Sequence, residues 1–301
     1  MDGPEDGVIE SNRSVHRAAV TRRAAAARRR VEARLRAGTV WARAVLQHHF
    51  DGGYAPVSSR QGDVRHRAPA LALFQITAGY HGSPAIENVT VEFPPGSMTA
   101  VIGPNGAGKT TLLKTLAGIL QPHNGKLTRA ARDIAYLPQS DEIDRSFPVS
   151  VGEFVALGRW RQFGVFRPAA GEAGDAAAAA LDAVGLVGAA ARPISALSLG
   201  QFRRVLFARL MLQDAGALLL DEPFAAVDAV TTVDLIRRLS DWHRDGRTII
   251  AVLHDIDQVR AHFPRVVLLA RQCIAAGDTA EVLTAENLAR AGLTSRDGSA
   301  P

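Results

Sequence analysis

A glycine-rich turn between an apolar strand and a helix restricts the possible folds of this chain more than any other feature. The apolar run Met98–Ile102 leads into the sequence Gly-Pro-Asn-Gly-Ala-Gly-Lys-Thr-Thr, and two leucines follow. The loop consists of Gly103, Pro104, Asn105, Gly106, Ala107, Gly108, Lys109, Thr110 and Thr111. Such a loop directs backbone N–H groups at an anion near a helix N-terminus. With Lys109 placed to reach the β- and γ-phosphates and Thr110 to bind Mg²⁺, the pattern predicts a nucleoside triphosphate site.

An acidic pair supplies the second half of a phosphoryl-transfer site. The apolar run Ala217–Leu220 predicts a short buried strand, and Asp221 and Glu222 follow it directly. Asp221 is suited to bind Mg²⁺, directly or through water, and Glu222 to polarise an attacking water. An Asp-Glu pair is common and is usually solvated, so this prediction depends on its combination with the phosphate loop.

Strand and helix patterns alternate from Leu71 onward. Strands are predicted at 71–77, 86–93, 98–102, 134–137, 217–220, 247–253 and 265–270, with mainly helical sequence at 149–213 and helices at 229–243 and after Asp255. This alternation is typical of an α/β sheet. The glycine loop, Gln139 and the acidic pair each follow a strand, which predicts that they meet at the carboxyl edge of one sheet, where such folds bind ligands.

Composition favours a large folded body. The chain has 301 residues, of which 47% are hydrophobic, enough to bury a sizeable core. A single cysteine, Cys273, excludes an internal disulfide and lies in an apolar segment, where we expect a buried structural thiol. No apolar run reaches the roughly 18 to 20 residues that cross a bilayer, and no signal-peptide pattern is present, so the chain is not expected to span a membrane.

The excess of positive charge lies in the N-terminal segment. Residues 1–70 contain 13 arginines and 7 acidic residues, whereas the remainder carries a net charge of −1. A folded body without net positive charge is not expected to bind nucleic acid. Residues 1–69 are predicted to be disordered or marginally helical. This segment is interpreted as a contact for anionic lipid or nucleic acid, a targeting peptide, a non-conserved extension or a misplaced translation start.

From about Leu71 to the C-terminus, the chain resembles the nucleotide-binding subunit of ABC transporters. The resemblance rests on the phosphate loop, the acidic pair and further motifs in the expected order. It implies that Tyr80 stacks on adenine, that Gln139 contacts Mg²⁺ and the attacking water, and that His254 contacts the γ-phosphate. The implied cofactors are ATP and Mg²⁺, with Mg²⁺ held by Thr110, Gln139 and Asp221.

The run Leu197-Ser-Leu-Gly-Gln201 resembles the signature of the family. The resemblance implies that Ser198, Gly200 and Gln201 cap the γ-phosphate of ATP held by the opposite subunit, and that Asp228 communicates across the dimer. The expected working unit is therefore a two-fold homodimer around two ATP molecules. The family usually has glycine where Leu199 stands, so a bulky side chain here is expected to affect dimer closure or turnover.

The fold implied by the resemblance is a P-loop NTPase of the ABC type. It has a RecA-like α/β core, an antiparallel β subdomain and an α-helical subdomain at about 140–213, within a domain spanning 70–301. The activity implied is ATP hydrolysis coupled to transport. The implied location is peripheral, on the cytoplasmic face of the plasma membrane.

Sequence in and beside the helical region resembles that of divalent-metal importers, which carry zinc, manganese or iron. The resembling pieces are 144–151, 156–160 and 163–168, together with Phe224 after the acidic pair and Pro223. The implied partners are two integral-membrane permease subunits and an extracytoplasmic metal-binding protein. No metal cluster is expected in this subunit, because the transported ion does not touch it. Importers of haem, siderophores or cobalamin, and soluble ABC ATPases outside transport, remain as alternatives.

Overall fold

Two β-sheets and a group of helices form the part of the chain that the computed structural model describes, residues 71–131, 133–159 and 172–293. The strands are β1 (Leu71–Tyr80), β2 (Ser83–Phe93), β3 (Met98–Ile102), β4 (Asn124–Arg129), β5 (Ile134–Leu137), β6 (Ala217–Asp221), β7 (Thr248–Val252), β8 (Arg265–Ala270) and β9 (Gln272–Asp278). The α-helices are α1 (Lys109–Ala117), α2 (Val151–Ala156), α3 (Glu172–Asp182), α4 (Leu199–Gln213), α5 (Ala229–Arg244), α6 (Ile256–His262), α7 (Thr279–Val282) and α8 (Ala285–Arg290). The N-terminal extension predicted at 1–69 and most of the importer-like sequence after Arg159 lie outside the described residues.

The larger sheet has six strands in the order β5-β6-β7-β3-β8-β9. All neighbouring pairs are parallel except β8 with β9. Every residue of β3, β6 and β7 is buried, as expected for central parallel strands covered on both faces. Their parallel direction brings the carboxyl ends of β3, β5, β6 and β7 to one edge, and the segments that follow these four strands carry the predicted site.

The smaller sheet is antiparallel, in the order β2-β1-β4. Leu73 and Val89 of this sheet belong to one buried cluster with Leu112 and Leu116 of α1 and Val101 of β3. Helix α1 therefore packs between apolar residues of both sheets, which fixes the start of the helix relative to the sheet edge.

The helical part lies between β5 and β6. Helix α2 begins with a capping box in which Ser150 and Glu153 satisfy each other's backbone N–H groups. Short 3₁₀ turns at 157–159, 189–191 and 194–196 interrupt the segment that the sequence predicts as mainly helical. The Phe154 and Phe202 rings, with centroids 5.9 Å apart, join α2 to α4.

Most predicted elements are confirmed, with three strands matching to the residue, namely β3, β5 and β8. Strand β1 continues to Tyr80, which pairs with Ser83, so the predicted turn is only two residues long. Cys273 is partly buried on β9, and burial raises the pKa of its thiol. Among the described residues, no helix is both long and apolar enough to cross a membrane. The proposed boundaries at 70 and at about 140–213 stay predictions.

Candidate functional site

The phosphate loop connects β3 to α1 and packs closely on the smaller sheet. Gly108 occupies the position before α1 with φ = 89°, a left-handed conformation that favours glycine. A Cβ there would lie 2.4 Å from Ile86 Cγ2 and 2.6 Å from the Ala85 carbonyl oxygen. The start of β2 therefore leaves no room for a side chain at this point, and the loop can approach β2 only because residue 108 is glycine.

Lys109 turns back over the loop that precedes it. Its side chain is only 7% exposed, and Nζ donates to the carbonyl oxygens of Gly103 at 2.8 Å and Pro104 at 2.9 Å. Burial lowers the pKa of Lys109, and the nearby Glu222 and Asp221 carboxylates oppose this shift. A buried ammonium in this position is suited to bind phosphate oxygens, because partial desolvation strengthens its field.

Asp221 ends β6 as a fully buried carboxylate. Its Oδ2 accepts a long hydrogen bond of 3.4 Å from the Tyr136 hydroxyl, whereas Oδ1 is buried and has no hydrogen-bond partner among the described residues. Burial raises the pKa of Asp221 to about 6, and interaction with the Thr110 hydroxyl partly offsets the shift. A buried carboxylate oxygen without a partner fits a divalent cation, so this position suits Mg²⁺.

Two predicted residues approach the same carboxylate oxygen of a third, and the three follow neighbouring strands of the larger sheet. Gln139 Nε2 donates to Glu222 Oε1 at 3.0 Å, and His254 Nε2 lies 2.8 Å from the same oxygen. Gln139 Nε2 also lies 3.5 Å from Thr110 Oγ1 at the start of α1. The structure therefore brings Gln139 and Glu222 to the phosphate loop, as the sheet-edge argument predicts, and His254, expected from the family resemblance, lies beside them.

Glu222 adopts a backbone conformation that carries strain. Its φ of 49° lies in the left-handed region, which costs a non-glycine residue on the order of 1–3 kcal/mol. Residues held in this way are common at functional sites, where the surrounding structure enforces them. The backbone geometry sets the direction in which the Glu222 carboxylate leaves β6.

The signature residues form helix caps within this chain. Ser198 precedes α4, its Oγ accepts from the Gln201 N–H at 3.2 Å, and its own N–H donates to Gln201 Oε1 at 3.1 Å. Leu199 is 45% exposed at the first position of α4 and leaves the capping box intact. Among the described residues, no hydrogen bond or ion pair joins 198–201 to the phosphate loop. These residues therefore do not complete the site of their own chain.

The loop after Glu222 packs against the signature helix. A Cβ on Gly200 would lie 2.7 Å from the Ala226 carbonyl oxygen. Two residues on, Asp228 caps α5: its Oδ1 accepts from the Thr231 N–H at 2.9 Å and its Oδ2 from the Thr231 hydroxyl at 2.8 Å. These hydrogen bonds lower the pKa of the exposed Asp228 carboxyl. The signature at 198–201 and the loop that leads from Ala226 to Asp228 thus form one continuous surface.

Tyr80 lies at the end of β1, beside the two-residue turn to β2. The residue is 43% exposed, so part of its aromatic side chain is accessible to a ligand. It pairs with Ser83, two residues before the Ala85 carbonyl that limits the space at Gly108 of the phosphate loop. The Tyr80 backbone is therefore only a few residues from a point where the smaller sheet approaches this loop.

Comparison with known proteins agrees with this geometry. Residues 86–225 match the ABC transporter family. The chain is 36% identical over 220 residues to the manganese transport system ATP-binding protein MntB of Listeria monocytogenes, which covers 71% of this chain and 92% of the relative. The chain of 301 residues therefore belongs to the family of ABC transporter ATP-binding proteins. It is also 36% identical over 237 residues to the zinc transport system ATP-binding protein TroB of Treponema pallidum, covering 76% of this chain and 89% of the relative.

Solved structures show the same fold. An inward-facing ABC transporter assigned to the metal-chelate type has a chain that is 29% identical, with a TM-score of 0.64, covering 73% of this protein and 88% of that chain. The structure of cbiO1 from Clostridium perfringens, part of the cbiONQ transporter complex, gives 26% identity and a TM-score of 0.59, covering 74% and 94%. The ABC-type fold and the assignment as an ABC ATPase are thereby confirmed.

Two residues of this ABC ATPase were missed by sequence reasoning. Tyr136 lies on β5 and donates to Asp221. It precedes Gln139 by three residues, and this position near the end of the strand is the signal from which a role at the site could have been predicted. Arg203 lies on α4 and is only 2% exposed, although arginine in a helix usually faces solvent. Arg204 follows it directly, and the apolar residues nearby, Phe202 and Val205, give only a weak local indication that position 203 is buried.

Proposed function

We propose that this protein is the ATP-hydrolysing subunit of a bacterial ABC importer of divalent metal ions, with manganese or zinc as the transported ion. The main support for ATP hydrolysis is that Gln139, Glu222 and His254 meet beside the phosphate loop. The choice of ion is supported by relatives named for manganese and zinc transport. It is also supported by the importer-like sequence around Phe147 and Phe224.

The nucleotide is bound by the phosphate loop, with Tyr80 stacked on adenine and Lys109 on the β- and γ-phosphates. Thr110, Gln139 and Asp221 would hold Mg²⁺, and the unpartnered Oδ1 of Asp221 supports this assignment. A divalent cation bound there would supply positive charge to neutralise the charge that develops during phosphoryl transfer. Lys109 Nζ, which donates to two carbonyl oxygens of the phosphate loop, lies at the loop that would hold these phosphates.

Glu222 polarises the attacking water. Its Oε1 is occupied by Gln139 Nε2 and His254 Nε2, whereas Oε2 accepts no hydrogen bond from the described residues. Oε2 is therefore the atom available to accept a proton from water. Gln139 and His254 fix the orientation of the carboxylate, and His254 in addition contacts the γ-phosphate.

Hydrolysis requires two copies of the chain. Ser198, Gly200 and Gln201 lie apart from the phosphate loop of their own subunit, which is consistent with their completing the site of a second subunit. Asp228, on the surface that continues from Gly200, communicates across this interface. Closure of the homodimer around two ATP molecules and its release after hydrolysis supply the movement that drives transport.

The other partners follow from the importer assignment. Two integral-membrane permease subunits dock near Gln139, and an extracytoplasmic metal-binding protein delivers the ion. The ATPase subunit then lies peripherally on the cytoplasmic face of the plasma membrane. Among the described residues there is no group of three or more histidine, cysteine, aspartate or glutamate side chains that could hold a metal ion. Selectivity for the ion is assigned to the partners.

Hydrolysis is tested with Glu222→Gln in the full-length protein. The variant keeps the shape of the side chain but cannot accept a proton, so MgATP binding and ATP-dependent dimerisation are retained while phosphate release falls at least about 100-fold. Asp182→Asn, at an exposed site on α3, is the matched control and retains full turnover. Wild-type turnover in Glu222→Gln would disprove the role of Glu222.

Transport is tested by uptake in cells that carry Glu222→Gln in place of the chromosomal copy. Loss of radioactive manganese or zinc uptake, with recovery of a polytopic permease alongside the wild-type protein from detergent-solubilised membranes, supports the proposal. The solved metal-chelate type transporter makes chelate import the second candidate. Normal manganese and zinc uptake with loss of haem, cobalamin or siderophore uptake would favour that candidate. Recovery of ribosomes or nucleic acid alone would place the ATPase outside transport.

A further inference from the structure

Arg203 is a buried cation that reaches from the signature helix into the catalytic site. It lies in the second turn of α4, and its side chain is 2% exposed. Nη1 donates to the Pro138 carbonyl oxygen at 3.2 Å and lies 3.5 Å from the Asp221 carbonyl oxygen. Nε is buried, and no residue in the described part of the chain forms a hydrogen bond with it. A buried guanidinium is costly, and one that is only partly satisfied costs more, so the fold alone gives little reason to keep it.

The two carbonyl groups that Arg203 contacts belong to the peptide bonds that lead into Gln139 and Glu222. These are the two residues whose side chains meet at 3.0 Å. Strands β5 and β6 are paired up to Leu137 and Leu220, and β5 ends there. Beyond this last pair, Arg203 is a cross-link between the two backbones at the point where the catalytic side chains leave them.

Electrostatics favours the same arrangement. Burial lowers the pKa of Arg203, and the nearby carboxylates of Glu222, Asp221 and Asp141 oppose the shift. The guanidinium thus remains a counter-charge to the acidic pair while it donates to backbone oxygens. Donation from a charged group to a carbonyl is stronger than donation from a neutral one, particularly in a buried site.

We propose that Arg203 is a positioning residue that holds the Gln139 and Glu222 backbones together and joins them to the helix that carries Ser198 and Gly200. The inference rests on the roles proposed above for Gln139 and Glu222. A shift of α4, when its first turn engages the partner subunit, is then transmitted to the separation between the Gln139 amide and the Glu222 carboxylate. Arg203 acts through these residues and does not itself touch ATP.

The proposal is tested with Arg203→Met and Arg203→Lys in the full-length protein. Methionine keeps most of the side-chain length but removes the charge and both donations, whereas lysine keeps the charge and reaches one carbonyl. Arg209→Met is the matched control: this arginine lies on the same helix, 4.9 Å over the Phe154 ring, and burial lowers its pKa to about 10. Among the described residues, no hydrogen bond, ion pair or ring contact joins its side chain to Gln139, Asp221, Glu222 or His254.

The measurements are the dissociation constant for MgATP, kcat and KM for hydrolysis, and the melting temperature. For Arg203→Met we expect MgATP affinity within about threefold of wild type and a fall in kcat of about 10- to 100-fold, because small displacements of catalytic groups cost this much. Arg203→Lys is expected to lie between wild type and Arg203→Met. Arg209→Met lowers the melting temperature but, assayed well below it, changes kcat less than about twofold.

A double-mutant cycle with Gln139→Ala separates positioning from general destabilisation. If Arg203 acts by holding Gln139 against Glu222, removing the Gln139 amide makes the further loss from Arg203→Met less than about threefold. Additive losses in the cycle would overturn the inference. So would a fall in kcat of Arg203→Met that its lowered melting temperature fully explains, as judged by comparison with Arg209→Met. Should Arg203→Met not yield folded protein, the same cycle is run with Arg203→Lys.

The controls also separate failure of this inference from failure of the proposed function. Wild-type turnover in both Gln139→Ala and Glu222→Gln would refute the catalytic assignment itself and, with it, the inference about Arg203. Loss of turnover in these two variants, together with an unchanged kcat in Arg203→Met, would leave the catalytic assignment standing and refute only the positioning role.

Discussion

Replacing Asp221 by asparagine is expected to stabilise the nucleotide-free protein and to abolish its ATPase activity. Burial raises the pKa of Asp221 from the ordinary value of 3.8 to about 6. The native state therefore binds the Asp221 proton more tightly than the unfolded state does, and stability is lost as pH rises through this interval. At about 1.4 kcal/mol per pKa unit, the ionised carboxylate costs about 3 kcal/mol above pH 7. Asparagine carries no such charge.

The dependence on pH distinguishes this electrostatic cost from other effects of the substitution. The Tyr136 and Thr110 hydroxyls lie close enough to accept hydrogen bonds from the new amide, so a constant contribution is also present. That contribution is the same at each pH, whereas the carboxylate cost at pH 8 exceeds the cost at pH 5 by about 1.4 kcal/mol. The stability gain of Asp221→Asn is therefore expected to increase by this amount between the two values.

The assay is urea unfolding followed by circular dichroism, with EDTA and without nucleotide, at pH 5 and pH 8. Asp182→Asn, an exposed carboxylate, is the control and is expected to differ from wild type by less than about 0.5 kcal/mol at both values. MgATP should stabilise the wild type far more than Asp221→Asn, because the ion loses a ligand. A stability difference that is equal at pH 5 and pH 8 would refute the reasoning that burial raises the pKa of Asp221.

Three further substitutions test the loop and the signature. Gly200→Ala is expected to displace the Ala226 carbonyl and to lower ATP-dependent dimerisation at least about threefold, measured by gel filtration. Gly216→Ala is the control: Gly216 has open space around it, so this variant is expected to dimerise like the wild type. Lys109→Met is expected to weaken MgATP binding at least about tenfold in a fluorescence titration, and the exposed Lys126→Met to leave it unchanged. Leu199→Gly is expected to raise turnover at least about twofold, because an exposed bulky side chain leaves the surface that faces the partner.

Each of these expectations has a contrary result. Dimerisation of Gly200→Ala at the level of Gly216→Ala would show that the contact with the Ala226 loop is unimportant for assembly. Undiminished MgATP affinity in Lys109→Met would remove Lys109 from phosphate binding. Equal or lower turnover in Leu199→Gly would show that the leucine does not hinder closure.

The strand ends of the larger sheet were predictable because each one combines a strong local pattern with a distinctive residue. The runs before Gly103, Asp221 and His254 are almost entirely apolar, as is typical of buried parallel strands. Once these strands are parallel, their carboxyl ends must meet at one edge. That topology brings Gln139, Glu222 and His254 close together, whereas their hydrogen bonds also depend on the left-handed backbone at Glu222.

The elements that were missed have weak local patterns. Strand β4 contains a single large apolar residue, Leu127, and is a strand because it pairs with β1 at the edge of the smaller sheet. Strand β9 is antiparallel to β8 and was not expected after a run of parallel strands. Both depend on contacts between distant segments, which single-sequence patterns do not contain. The buried position of Arg203 escaped prediction for the same reason, because its partners are carbonyl groups 65 and 18 residues away.

Four features that oppose folding occur at neighbouring positions of the proposed site. Asp221 is a fully buried carboxylate with an unpartnered oxygen, Glu222 is in the left-handed region, and Lys109 and Arg203 are buried cations. Each feature alone lowers the stability of the folded chain. Such costs are expected where a ligand or a second subunit supplies what the isolated chain lacks. The meeting of two carboxylates and two buried cations at the carboxyl ends of β3 and β6 is therefore an argument from physical chemistry that this edge is the working site of the protein.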